Sequence, residues 1–129
     1  MNSHALAAVA ADRTLVTALR EHLQSDTGQP VSLVETHISW LLLTPELAYK
    51  LKKPVALGFV DFRTLAARKH FCEEEVRLNR RLAPSLYPGV VPVCGTAHAP
   101  HLVDGEPIDF AVCMRRFPEE ALMCSLLPA

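Results

Sequence analysis

Lys50 and Lys52 stand two residues apart in the run Leu47-Ala48-Tyr49-Lys50-Leu51-Lys52-Lys53, and that spacing is the first chemical signal in the chain. On an extended strand such residues project from one face, while Tyr49 and Leu51 project from the other. Two ammonium groups fixed on rigid backbone make a receptor for an anion. An acidic run, Glu73-Glu74-Glu75, follows within a helical pattern. One of its carboxylates can brace a lysine. The alternatives are a solvated edge strand and local pairing on the helix, such as Glu73 with Arg77.

The elements that must position these groups can be read in order. Residues 5 to 24 predict a helix, with Leu6, Val9, Leu15, Leu19 and Leu23 near one side. Turn residues from Asp26 to Pro30 end it. Val31–Thr36 and Ile38–Thr44 read as two strands interrupted near His37, and Leu47–Lys53 as a third, so a meander is expected. An irregular stretch with Gly58, Phe59 and Phe62 follows. Asp61 or Thr64 can cap the long helix from Leu65 to Ala83, where Phe71, Glu75, Leu78 and Leu82 share a stripe with Glu74 beside it. Val90–Thr96 and Ile108–Met114 read as a fourth and a fifth strand joined through a hairpin at Asp104-Gly105. Phe117-Pro118 closes the last strand, and Glu119 to Leu127 starts a further helix.

Length and composition set the bounds. A chain of 129 residues, 50% of them hydrophobic, suits one domain with a real core. The formal net charge of −1 conceals a local basic surface, because 9 of the 13 Lys and Arg lie between Lys50 and Arg81. A nucleic-acid binder usually has a basic balance, aromatics are sparse here, and the acidic triplet interrupts the patch, so that class is disfavoured. Cys72, Cys94, Cys113 and Cys124 form no Cys-x-x-Cys pair, so free, buried thiols in a reducing compartment are expected. Cys94, His98 and His101 suit no common zinc module, and residues 98–101 read as a surface loop. No apolar run approaches the roughly 18 residues that span a bilayer, and Ala5–Ala11 lacks a basic flank for a signal peptide. A cytoplasmic protein without a membrane partner is the expectation.

Five stretches together carry a resemblance. They are Glu35 to Trp40, Ala48 to Pro54, Gly58 to Phe62, Phe71 to Leu82, and Met114 to Pro118. Over roughly residues 31 to 127 the chain resembles the aminoglycoside phosphotransferase branch of the protein-kinase-like superfamily. It looks most like the N-terminal part of bacterial proteins in which such a domain precedes a P-loop ATPase domain. The resemblance implies an α+β fold: a kinase-like N-lobe with an antiparallel sheet of about five strands, one long helix and an N-terminal helix. It divides the chain into an N-terminal helix and linker (1–30), the lobe (31–118) and the start of a C-lobe or tail (119–129).

The resemblance also implies ATP as the ligand. Ala48-x-Lys50 matches the strand motif whose lysine bridges the nucleotide's phosphates, with Lys52 as the fallback and outer charge. Glu74 matches the helix glutamate through its spacing to Leu78 and Leu82, and Glu75 is its competitor. The phosphate-covering loop falls on Thr36-His37-Ile38-Ser39, which has no glycine, so that His37 or the hydroxyls of Thr36 and Ser39 take the donor role. Met114 falls at the gatekeeper position and Arg115 to Phe117 at the hinge.

The family's metal-binding and acceptor-orienting residues come after the hinge. No His-Gly-Asp or Asp-Phe-Gly sequence occurs here. The expectation is an ATP-binding lobe, truncated or a fragment, that transfers no phosphate alone. Mg²⁺ enters only with the missing C-terminal lobe, and that lobe or a partner chain covers the exposed face. The alternative is a non-catalytic interaction module that keeps the lobe fold.

Overall fold

The N-terminal helix shows how the chain makes its first face. In the computed structural model, which describes residues 2–56, 58 and 61–116 with side chains from Arg13 onward, it spans Asn2–Thr27 (α1). Leu15, Val16, Leu19 and Leu23 are buried along one side, as an amphipathic helix requires. Gly28 ends it with a φ of +69° and donates its N–H to the Gln24 carbonyl at 2.9 Å. Glycine accepts that left-handed conformation without a Cβ clash. The Arg20 side chain then donates to the Val31 carbonyl at 2.6 Å, tying the helix to the first strand.

The strands β1 (Ser32–Glu35), β2 (Ser39–Leu43) and β3 (Leu47–Lys52) form the expected antiparallel meander. After α2 (Leu65–Arg80) and a 3₁₀ turn, Pro84–Leu86, come β4 (Gly89–Gly95), β5 (Pro100–Leu102) and β6 (Pro107–Arg115). They complete a six-stranded sheet in the order β1-β2-β3-β6-β4-β5, antiparallel throughout. β3 is therefore an interior strand, and its lysines are not on a solvated edge.

The α+β class holds, with one strand more than expected. β5 spans only three residues, two of them in the stretch read as a loop, too few for alternation to register. β4 and β6 do pair, from Gly89↔Cys113 to Cys94↔Pro107. Their link is not a tight hairpin at Asp104-Gly105. The chain first turns back as β5 against β4, then crosses to β6 through Val103 and Asp104, both at φ near +60°.

Alternation along the strands sends the two helices to opposite faces. Tyr49 and Leu51 of β3, Ala111 and Cys113 of β6, Trp40 and Leu42 share one core with α1. Phe110 and Val112 share a second, smaller core with Cys72 and Val76 of α2. The N-terminal helix thus belongs to the sheet's own core. The expected stripe on α2 is corrected: Leu78 is 50% and Leu82 89% exposed, while Cys72 and Val76 are buried. Small side chains at those two positions let the helix lie close to the sheet.

Cys72, Cys94 and Cys113 are free and buried, whereas Cys124 lies outside the described residues. So do Phe59, Phe117 and the helix expected over 119–127. Among the described residues no helix is long and apolar enough to cross a membrane.

Candidate functional site: a lysine-lined cleft

Strand register gathers the site. Ser39 pairs with Lys52, Leu41 with Lys50, and Lys50 with Val112, while Ala48 pairs with Met114. Ser39, Leu41, Lys50, Lys52, Val112 and Met114 therefore occupy the sheet face that α2 covers.

The helix is fixed at both ends. Thr64 is its N-cap and accepts from the Ala67 N–H at 3.1 Å. Arg68 pairs with the buried Asp109 of β6 at 3.0 Å and also donates to the Phe62 and Arg63 carbonyls. At the far end Arg80 donates to the Tyr87 and Pro88 carbonyls. Cys72 and Val76 then seat on Phe110 and Val112, which turns Glu75 toward β3.

Glu75 accepts from both strand lysines, from Lys52 at 2.7 Å and Lys50 at 3.2 Å. The expected preference for Glu74 is overturned. Glu74, one residue back on the helix, points to solvent and pairs with Arg77 at 2.8 Å. Counting from Leu78 and Leu82 misled because those leucines are not the buried side. Glu73 is exposed.

Lys52 is not an outer charge either. Its side chain is 9% exposed against 28% for Lys50, and its ammonium also lies 5.4 Å from the Phe62 ring centre. Lys53 points to the other face. It pairs with Glu35 at 2.6 Å, which Arg13 also engages, and lies over the Trp40 ring. Burial pushes the Glu75 carboxyl up. The hydrogen bond and charge of Lys52, and then those of Lys50, outweigh burial and hold the group below its ordinary range.

Around Lys50 and Glu75 opens a cleft of about 500 Å³, lined also by Thr36, His37, Ile38, Ser39, Leu41, Tyr87 and Met114. Lys50, Glu75, Ser39, His37 and Met114 were legible as site residues, and the fold brings them together. Thr36 and Ile38 belong to the loop expected over the site, whereas Leu41 and Tyr87 were missed. Strand alternation could have found Leu41, which lies beside Lys50, but nothing in the sequence marks Tyr87.

Arg115 is exposed and lines a neighbouring groove with Arg80, Tyr87 and Pro88. Phe117 lies outside the described residues. Between them Arg116 anchors the end of β6 to the β2–β3 turn, through bonds to the Thr44 and Glu46 carbonyls.

The turn over the cleft is closed on itself. The Thr36 N–H donates to the Ser39 carbonyl at 2.9 Å, and the Ile38 and Ser39 N–H groups both donate to the Thr36 hydroxyl. The Thr36 and Ser39 hydroxyls lie 2.9 Å apart, bonded to each other. Three of its four backbone amides are thereby committed internally.

A second hollow of about 510 Å³ lies where Tyr49, His22, Asp26 and Glu46 meet, and no Lys or Arg lines it. The Lys50 cleft, in contrast, sets an ammonium group and its carboxylate against the apolar side chains of Ile38, Leu41 and Met114.

Over 106 residues, 80% of its length, the chain is 35% identical to an uncharacterized protein of Mycobacterium tuberculosis and to one of Mycobacterium bovis. The match takes in 20% of each of those proteins, so the chain spans about one fifth of the length of the curated relatives it matches. No family model and no solved structure matches it.

Proposed function

We propose that this chain is the ATP-binding N-lobe of a kinase-like phosphotransferase of the aminoglycoside phosphotransferase type. The observation that carries the reading is the ion pair between Lys50 on an interior strand and Glu75 on the covering helix, set at the base of an open cleft. Two ammonium groups against one carboxylate leave a net positive charge facing an anion. The walls formed by Ile38, Leu41, Tyr87 and Met114 offer an apolar slot for a flat base. A nucleotide has both parts, phosphates and a planar ring, and a simple anion has only one. Met114 takes the gatekeeper position in this reading, with Arg115 to Phe117 as the hinge.

No residue of the chain is assigned to the transfer step. Metal binding and acceptor orientation belong to a C-terminal lobe in such enzymes. That lobe, the acceptor and any partner chain are part of the proposal for the longer protein.

Calorimetric titration with Mg-ATP tests the reading. Binding by the intact chain and its loss in Lys50→Ala are the expected results. An intact, demonstrably folded chain that gives no binding at millimolar ATP refutes it.

A further inference from the structure

Glu75 is shared unequally between two lysines, and the inequality has a direction. Lys52 is the closer partner, at 2.7 Å against 3.2 Å, and the more enclosed, at 9% exposure against 28%. Lys50 lines the open cleft and Lys52 does not. Of the two cations, Lys50 is the one an incoming anion meets first. A lysine drawn onto a phosphate weakens its hold on the carboxylate behind it. With one lysine, that exchange would leave a largely buried carboxylate without its charge partner, which is costly in an interior. With two, the carboxylate keeps a partner throughout.

Resting on the nucleotide reading, we propose that Lys52 is a positioning residue: it holds the Glu75 carboxylate on β3 while Lys50 is released to a phosphate. The closed Thr36–Ser39 turn favours this arrangement. A glycine-rich loop would present free amides to the phosphates, but here three of the four amides donate within the turn and the two hydroxyls are bonded to each other. The anion must then be held chiefly by Lys50, so Lys50 has to leave Glu75 without releasing the helix.

Two experiments on the full chain test this. In the first, Mg-ATP affinity is measured for Lys50→Met, Lys52→Met and Lys52→Arg. Methionine keeps the length of the stem against Phe62, and arginine keeps the charge. The expected result is loss of binding in Lys50→Met, a weakening of about tenfold or more in Lys52→Met, and recovery to within about threefold in Lys52→Arg. Unchanged affinity in Lys52→Met overturns the proposal. So does lost affinity in Lys52→Met alongside intact affinity in Lys50→Met, which would exchange the two roles.

The second experiment uses no nucleotide. The Glu75 carboxyl is followed by ¹³C NMR across acid pH in Lys50→Met and Lys52→Met. The charged and titratable groups facing it are Lys50 and Lys52 from β3, Tyr87 beyond α2, His37 across the cleft and Cys72 on its own helix. Its midpoint is expected to rise more in Lys52→Met than in Lys50→Met. Equal shifts, or the reverse order, overturn the proposal. Absence of ATP binding by the intact chain refutes the nucleotide reading and, with it, the release to phosphate; the carboxyl titration still decides whether Lys52 is the dominant partner.

Discussion

Replacing Glu75 by Gln and, separately, Glu74 by Gln gives a sharp contrast between neighbouring residues. The Glu75 side chain is 17% exposed and accepts from two ammonium groups. Glu75→Gln leaves Lys52, only 9% exposed, with no carboxylate. Removing one member of a fully buried pair costs about 3–5 kcal/mol. Water reaches this cleft on the Lys50 side, so the expected loss is smaller, about 2–3 kcal/mol. With a urea dependence of roughly 1–3 kcal/mol per molar, the unfolding midpoint falls by about 1 M or more. Glu74→Gln removes only an exposed pair with Arg77, and its unfolding curve is expected to overlay that of the parent.

Acidification gives an independent reading of the same group. The folded-state pKa of Glu75 lies below its ordinary value of 4.5, because the lysines outweigh burial. As pH falls, the unfolded chain takes up this proton first. The stabilisation is therefore present above the unfolded value and drains away as pH drops through the folded one. The parent should lose stability in that window, and Glu75→Gln should lose less. The difference between the two curves isolates Glu75, since Glu35, Asp61 and Glu74 are also held low by basic partners. A Glu75→Gln chain as stable as the parent at pH 7, or a Glu74→Gln chain equally weakened, would refute the reasoning.

Two further outcomes concern the scaffold. Gly95 has a φ of +87°, and a Cβ there would lie 2.5 Å from the Ala99 carbonyl oxygen. Gly95→Ala is expected to cost about 2 kcal/mol or more in urea unfolding, and a neutral result would contradict the β4–β5 turn. Burial pushes the Cys72 thiol up to about 12. In a Cys124→Ser chain, an aromatic disulfide reagent at pH 8 is expected to label none of Cys72, Cys94 and Cys113 until denaturant is added. Prompt labelling of the native chain would show that one of them is not enclosed.

The parts of this structure that were legible in the sequence are those carried by local pattern. Alternation put Lys50 opposite Tyr49 and identified the first three strands. Capping chemistry offered Thr64, and helical spacing found Leu15, Leu19 and Leu23. What escaped depends on contacts between distant segments. The choice between Glu74 and Glu75 needed the buried side of α2, which Cys72 and Val76 define and two exposed leucines obscured. The inward position of Lys52 depends on Phe62 and Glu75 closing over it. Tyr87 reaches the cleft only because the chain doubles back after α2. Three residues of β5 carried too little pattern to compete with a loop.

The strand order sets a timetable for folding. Among the described residues β6 is the last of six strands in sequence, yet it lies in the middle of the sheet, between β3 and β4. A chain emerging from the ribosome can form the β1–β2–β3 meander and the β4–β5 pair early, since both join near neighbours. Until residues 107–115 arrive, the inner edges of these two units stay open, each with a row of unpaired backbone groups. Those edges are the places where a nascent chain would mispair with another copy. Insertion of β6 closes both at once, and it also delivers Asp109 to Arg68 and Phe110 and Val112 to α2. The helix that carries Glu75 is seated on Phe110 and Val112 of this strand, so a complete cleft requires a complete sheet.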